Sequence, residues 1–280
     1  MLCYSTASLP DLFTASDIAT ALLPSVFRGV EYVVKPTDLA RAHDASYWHG
    51  FRTELEVRGL SVRNVQLGHP FLLGPVAHSP GLSTLVPAGP MGRGRRVEAA
   101  LAAARIAVHL GSPYLTITTG LPERAGDFKV QEQNFLASLT QIVAARPKGL
   151  KIAIEQEPEH VIHRADQMLA LCRAFEGVVF ANYDVGHGVV AGEDPAQAVR
   201  LLGHYVSNLH LEDIKGRTHK HLMFGEGEVD FRALFKTLGE IRYAGDVTMD
   251  LYPFKNEWQW AVKRSGEFLA SVTSSRDQTS

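Results

Sequence analysis

Leu150-Lys151-Ile152-Ala153-Ile154-Glu155, residues 163–175, and Val178-Val179-Phe180-Ala181-Asn182-Tyr183-Asp184 read in turn as strand, helix and strand. The two outer runs are short and apolar, while the middle one places Met168, Leu169, Leu171 and Cys172 in a helical context. Each strand ends on a carboxylate, Glu155 or Asp184. Two strands joined through a helix lie parallel, because a parallel pair needs a crossover that a tight turn cannot supply.

The same unit recurs on both sides. Toward the N-terminus the sequence predicts strands at 1–8, 29–34, 60–67 and 114–118. Helices are predicted at 16–27 with Ser16 as N-cap, 44–58 stopped by Gly59, 95–110 and 130–145, with an irregular loop over 71–94. Toward the C-terminus, Pro195 opens a helix ending near Leu202, strands follow at 206–211 and 246–251, and helices at 231–241 and 257–271. Eight strand-helix pairs predict an α/β fold, a (β/α)8 TIM barrel in a single domain over residues 1–273, with 274–280 a frayed tail. The rival is an open doubly wound sheet; no G-x-G-x-x-G follows the first strand, which argues against that sheet and against a nucleotide cofactor.

Composition narrows the function classes. With 28 Lys plus Arg against 30 Asp plus Glu in 280 residues, the net charge of −2 supplies no field for a polyanion, so nucleic acid is not an expected partner. Two cysteines, Cys3 and Cys172, exclude a disulfide framework and fit a reducing compartment. No apolar run is long enough to span a bilayer, and the expectation is a cytoplasmic protein without membrane contact.

In a barrel of this kind chemistry gathers where the strands end. Four successive strands deliver Glu155, Asp184, His210 and Asp250 there. Three crowded carboxylates repel one another unless a positive charge lies between them, and a divalent cation supplies it. Hard oxygens with one imidazole and no thiolate suit Mn²⁺, Mg²⁺, Co²⁺ or Zn²⁺; solvated rim residues paired with Arg and Lys are the bland alternative.

Ile154-Glu155, Asp184-Val185-Gly186-His187-Gly188, Leu209-His210-Leu211-Glu212-Asp213 and Gly225-Glu226-Gly227-Glu228-Val229-Asp230 together resemble the xylose isomerase-like TIM-barrel superfamily. That group includes sugar phosphate isomerases and epimerases, ketose 3-epimerases, inosose dehydratases and endonuclease IV. The resemblance covers mainly residues 150–252. It implies that Glu155, Asp184, His210 and Asp250 hold one metal ion, that Glu155 and Asp250 exchange protons with substrate, and that His187 contacts it. The family usually has Glu where this chain has Asp250, one methylene shorter.

Two functions fit. One is a metal-dependent isomerase or epimerase of a small carbohydrate, sugar phosphate or cyclitol, in which the cation polarises a carbonyl and stabilises an ene-diolate. Arg217 would then reach a substrate oxygen. The other is a multinuclear hydrolase resembling endonuclease IV, with His69, His187, His219 and His221 around a second metal. A barrel that only binds a ligand is a third class. The aromatics Tyr252, Phe254, Trp258 and Trp260 wall a sugar pocket or pack the last helix, packing being favoured. The loop over 71–94 either covers the rim as a lid or joins another subunit of a homo-oligomer.

Overall fold

A computed structural model describes residues 1–11, 13–67, 90–120 and 128–273. Its strands are β1 (Leu2–Ser5), β2 (Gly29–Val33), β3 (Ser61–Leu67), β4 (Tyr114–Thr118), β5 (Lys151–Glu155), β6 (Val179–Asp184), β7 (Val206–Leu211) and β8 (Asp246–Met249). Each runs parallel to the next, and β8 pairs with β1 to close the barrel. The expected (β/α)8 barrel is therefore the fold. Helices Ala15–Leu22, Ala45–Val57, Pro90–His109, Phe128–Ala145, Ala165–Ala174, Pro195–Leu202, Phe231–Glu240 and Trp258–Thr273 follow the eight strands in order. Short helices Pro36–Leu39 and Val185–Val190 are additions to the sequence reading.

Helix ends follow local chemistry. Asp44, Asp194 and Asp230 each accept a backbone N–H of the first turn they precede. The first helix corrects the expectation of a Ser16 cap. Thr14 accepts from Asp17 N at 3.2 Å while the Asp17 carboxylate accepts from Thr14 N at 2.8 Å, and this reciprocal pair leaves Ser16 inside the helix. That helix stops at Leu22 because Pro24 has no N–H to continue it. The third long helix starts at Pro90, where residues 90–94 had read as loop, since proline suits a first turn. The remainder of that loop, His69 and the tail 274–280 lie outside the described residues.

The core is the layer between strands and helices. Val65, Leu115, Ile117, Ile152, Ile154, Tyr183, Leu209 and Met249 are buried in one continuous cluster with Ile18, Leu55, Ile106, Phe135, Leu139, Met168 and Leu234 of the helices. Inside the barrel the chain departs from the usual branched apolar filling. Glu31, Asn64, Thr116, Asn182, Asn208 and Thr248 are all buried. Thr116 Oγ1 donates to Asn64 Oδ1 at 2.9 Å, Asn64 Nδ2 to Glu31 Oε2 at 2.6 Å, and Asn208 Nδ2 to Asn182 Oδ1 at 2.7 Å. Glu31 on β2 also reaches His210 on β7; the two strands are not neighbours, so the contact crosses the lumen. Side chains two residues apart share a face, so Asp184, His210 and Asp250, two positions beyond Asn182, Asn208 and Thr248, lie on the same face nearer the barrel mouth.

Candidate metal centre

Glu155 ends β5, Asp184 ends β6, His210 lies one residue inside the end of β7, and Asp250 follows β8. Asp184 and His210 are register partners across β6 and β7. Ligand atoms of Glu155, Asp184 and His210 all fall within 4.8 Å of one another. His210 Nδ1 is 2.8 Å from Glu155 Oε1, 3.7 Å from Asp184 Oδ2 and 3.9 Å from Asp250 Oδ2. Asp250 thus joins the other three at the edge of the group.

The backbone and neighbouring amides hold these groups in place. Gln66 Nε2 donates to Glu155 Oε2 at 2.6 Å. Gln156 clamps the peptide of Asp184, its Nε2 donating to Asp184 O at 2.7 Å and its Oε1 accepting from Asp184 N at 3.1 Å. Asp184 Oδ1 caps the helix Val185–Val190 by accepting from His187 N at 2.7 Å, which leaves Oδ2 for the cluster.

A second group stands beside the first. His187 Nε2 lies 2.9 Å from His219 Nε2, which lies 3.3 Å from His221 Nε2. His187 Nδ1 donates to Gln156 O at 2.8 Å and His221 Nδ1 donates to Asp250 O at 2.9 Å. Both rings therefore turn an Nε2 lone pair inward, the arrangement in which histidine ligates a metal. The Gly225-Glu226-Gly227 motif builds the loop that brings His219 and His221 there. Asp213 Oδ2 accepts from Gly225 N and Gly227 N at 2.8 and 3.0 Å, and Oδ1 from Ile214 N and Val229 N at 3.0 and 3.2 Å. An antiparallel bridge between Asp213 and Leu222 sets His221 at the mouth.

Electrostatics fit the residues to a divalent cation. Burial raises the Glu155 and Asp250 carboxyls above their ordinary values, with nearby imidazoles pulling the other way. Burial also opposes ionisation of Asp184, yet His187, His210 and His221 hold it far below the usual range. Burial would lower His210, but Glu31 and Glu155 hold it well above. Protonated imidazoles thus supply positive charge at this spot, the charge a bound divalent cation would supply. Asp184 Oδ2 is buried and has no hydrogen-bond partner among the described residues, an orphan acceptor that a cation satisfies.

Sequence-predicted residues divide accordingly. Glu155, Asp184, His210 and Asp250 come together, and so do His187, His219 and His221. His187 is 4% exposed and belongs to the histidine group. Arg217 is exposed and its guanidinium lies over Gly192 in the loop after the helix Val185–Val190. Tyr252 tilts on His221 with ring centroids 4.5 Å apart, whereas Trp258 packs on Phe13 and Trp260 on Phe254. The sequence reading missed Glu31 because it searched strand ends for ligands, and it gave no role to Gln66, Gln156 and Glu212 although these lie at the ends of β3, β5 and β7. A carboxylate in mid-strand, Gly29-Val30-Glu31-Tyr32-Val33, was the available signal.

Residues 27–270 match the family described as xylose isomerase-like TIM barrel. An inosose dehydratase of Clostridium botulinum is 28% identical over 140 residues, which are 42% of this chain and 46% of that protein. The chain thus spans about half the length of that curated relative. Among solved structures, a D-tagatose 3-epimerase-like protein superposes with a TM-score of 0.74 at 20% identity, covering 98% of this chain and 97% of the other. The IOLI protein, solved with a binding zinc atom, superposes with a TM-score of 0.79 at 14% identity, covering 99% of each. At these identities the likeness is one of fold. With a closed eightfold barrel, ligand-type side chains at its mouth and a match over most of its length, the chain belongs to the xylose isomerase-like TIM barrel family.

Proposed function

We propose that the protein is a divalent-metal-dependent isomerase or epimerase that moves a proton at a carbon next to a carbonyl in a small sugar, sugar phosphate or cyclitol. The observation that carries this reading is the convergence of Glu155, Asp184 and His210, with Asp250 at their edge, on one point of the barrel mouth. A bound cation, Mn²⁺, Mg²⁺, Co²⁺ or Zn²⁺, would polarise the substrate carbonyl and stabilise the charge that develops when the neighbouring proton leaves. Glu155 is suited to take that proton. Burial raises its affinity for protons above that of an ordinary carboxylate, and Gln66 fixes Oε2. Asp250, just past the end of β8 and three staves away, approaches from another side and can return a proton to the opposite face. Dehydration of a keto-cyclitol, the activity in the name of the Clostridium relatives, begins with the same abstraction. We assign the protein to the cytoplasm on its two buried free thiols.

Two measurements test this. His210→Ala and Asp184→Asn should each abolish the stoichiometric binding of Mn²⁺ to metal-stripped protein, and unchanged occupancy in both would reject the ligand set. Ketoses and cyclitols incubated in heavy water should take up carbon-bound deuterium with the native chain and at least 100-fold more slowly with Glu155→Gln, on the order expected for loss of a general base. Equal uptake would remove Glu155 from that role.

The inward Nε2 atoms of His187, His219 and His221 favour a second reading, hydrolysis with a second cation. Two equivalents of Zn²⁺ and cleavage of an activated phosphodiester, lost in His219→Ala and His221→Ala, would support it. One equivalent and no cleavage would leave the proton-transfer reading alone.

A further inference from the structure

We propose that Glu31, in the middle of β2, is a positioning residue for the cation site, fixing the ring of His210 from inside the barrel so that Nδ1 faces the mouth. This rests on the reading of Glu155, Asp184 and His210 as cation ligands. Glu31 is fully buried, and its Oε2 is 2.8 Å from His210 Nε2. Asn182 Nδ2 also stands near that nitrogen, at 3.2 Å, but an amide N–H donates, whereas the carboxylate oxygen accepts. The Nε2 proton therefore goes to Glu31. Nδ1 is then the atom left for a metal, and it is Nδ1 that faces Glu155, Asp184 and Asp250.

The arrangement around Glu31 is aimed. Asn64 Nδ2 at 2.6 Å and Asn208 Nδ2 at 3.5 Å approach the same Oε2 that meets His210. Oε1 is buried and has no hydrogen-bond partner among the described residues. A polar network serving stability alone gains by satisfying both oxygens. Here the donors converge on one, and they are themselves oriented: Thr116 Oγ1 donates to Asn64 Oδ1 and Thr248 Oγ1 to Asn208 Oδ1, each at 2.9 Å. Side chains of β3, β4, β7 and β8 thus set the angle of one carboxylate on β2, which sets the angle of one imidazole. A carboxylate on the far nitrogen of a ligating histidine fixes its tautomer and raises its basicity, and its loss typically weakens metal binding by about 10- to 100-fold.

The test is Mn²⁺ titration by calorimetry and the visible spectrum of Co²⁺-loaded protein, for the native chain, His210→Ala, Glu31→Ala and Glu31→Gln, with apo-protein melting temperatures alongside. Glu31→Ala should weaken the His210-dependent site by about 10- to 100-fold and alter the Co²⁺ bands. Glu31→Gln keeps an oxygen for the same donors but loses the charge, and should weaken it by about tenfold, at the lower end of that range. If Glu31→Ala does not fold, Glu31→Gln decides. Native affinity and native Co²⁺ bands in Glu31→Gln, with or without a lower melting temperature, would overturn the proposal and leave the cation reading standing. No Mn²⁺ binding by the native chain, or equal binding by His210→Ala, would overturn the cation reading and this proposal with it.

Discussion

Asp184 shows how much one residue can be asked to do at the mouth of this barrel. Its backbone is clamped by Gln156, one carboxylate oxygen caps a short helix, and the other faces two imidazoles. Two positions later Gly186 meets Glu212, which is fully buried, so closely that a Cβ would overlap the carboxylate, with Ile214 Cγ1 only 2.7 Å from it. Glu212 has little room to retreat. Gly186→Ala should therefore destabilise the protein by roughly 1–3 kcal/mol, read as a shift in denaturant midpoint at constant slope. A midpoint equal to that of the native chain would show that Glu212 moves freely. The need for glycine at 186 was not legible in the sequence, because it arises from a side chain 26 positions away.

At the scale of elements, the segment from Asp213 to Asp230 is a loop with a purpose. One buried carboxylate, Asp213, accepts four backbone N–H groups and replaces the hydrogen bonds that a helix or strand would have supplied. Asp213→Ala should cost about 2–4 kcal/mol, because several buried donors lose their acceptor together. It should also weaken any metal bound by His219 and His221 more than metal bound by Glu155 and His210. Chemical denaturation and metal titration check the two parts, and equal weakening at both groups would show that the loop does not specifically carry the histidines. The Gly-Glu-Gly motif was visible in the sequence, but its partner was not, since only the folded chain brings residues 225–229 back to 213. The first helix teaches the same lesson locally: Ser16 and Thr14 are both good caps, and the carboxylate of Asp17 decided between them.

Across the whole molecule, burial of ionisable groups ties stability to pH. Burial, and then His187, push His219 down to about 4 from an ordinary value of 6.5. The unfolded chain takes up a proton on this ring below about 6.5 while the native chain resists until about 4, so the contribution is present above 6.5 and is lost as pH falls to 4. In metal-free protein, the melting temperature of His219→Gln should fall less steeply than that of the native chain over this window. Parallel curves would show that His219 is free to protonate in the fold. His187 contributes in the opposite sense, because Asp184 and Glu157 raise it against the effect of burial, and it stabilises toward low pH.

The repeat of apolar strand and amphipathic helix is a local property of the chain, set by side-chain periodicity and caps, and it sufficed to determine the barrel and the four residues its strand ends would present. What only the tertiary structure decided is which groups meet across the lumen and through the loops: Glu31 against His210, Gln66 against Glu155, Asp213 under the Gly225–Gly227 turn. Those contacts join residues up to 179 positions apart. Periodicity says which face a side chain takes, but the closure of eight staves at one radius fixes which faces come within hydrogen-bonding distance.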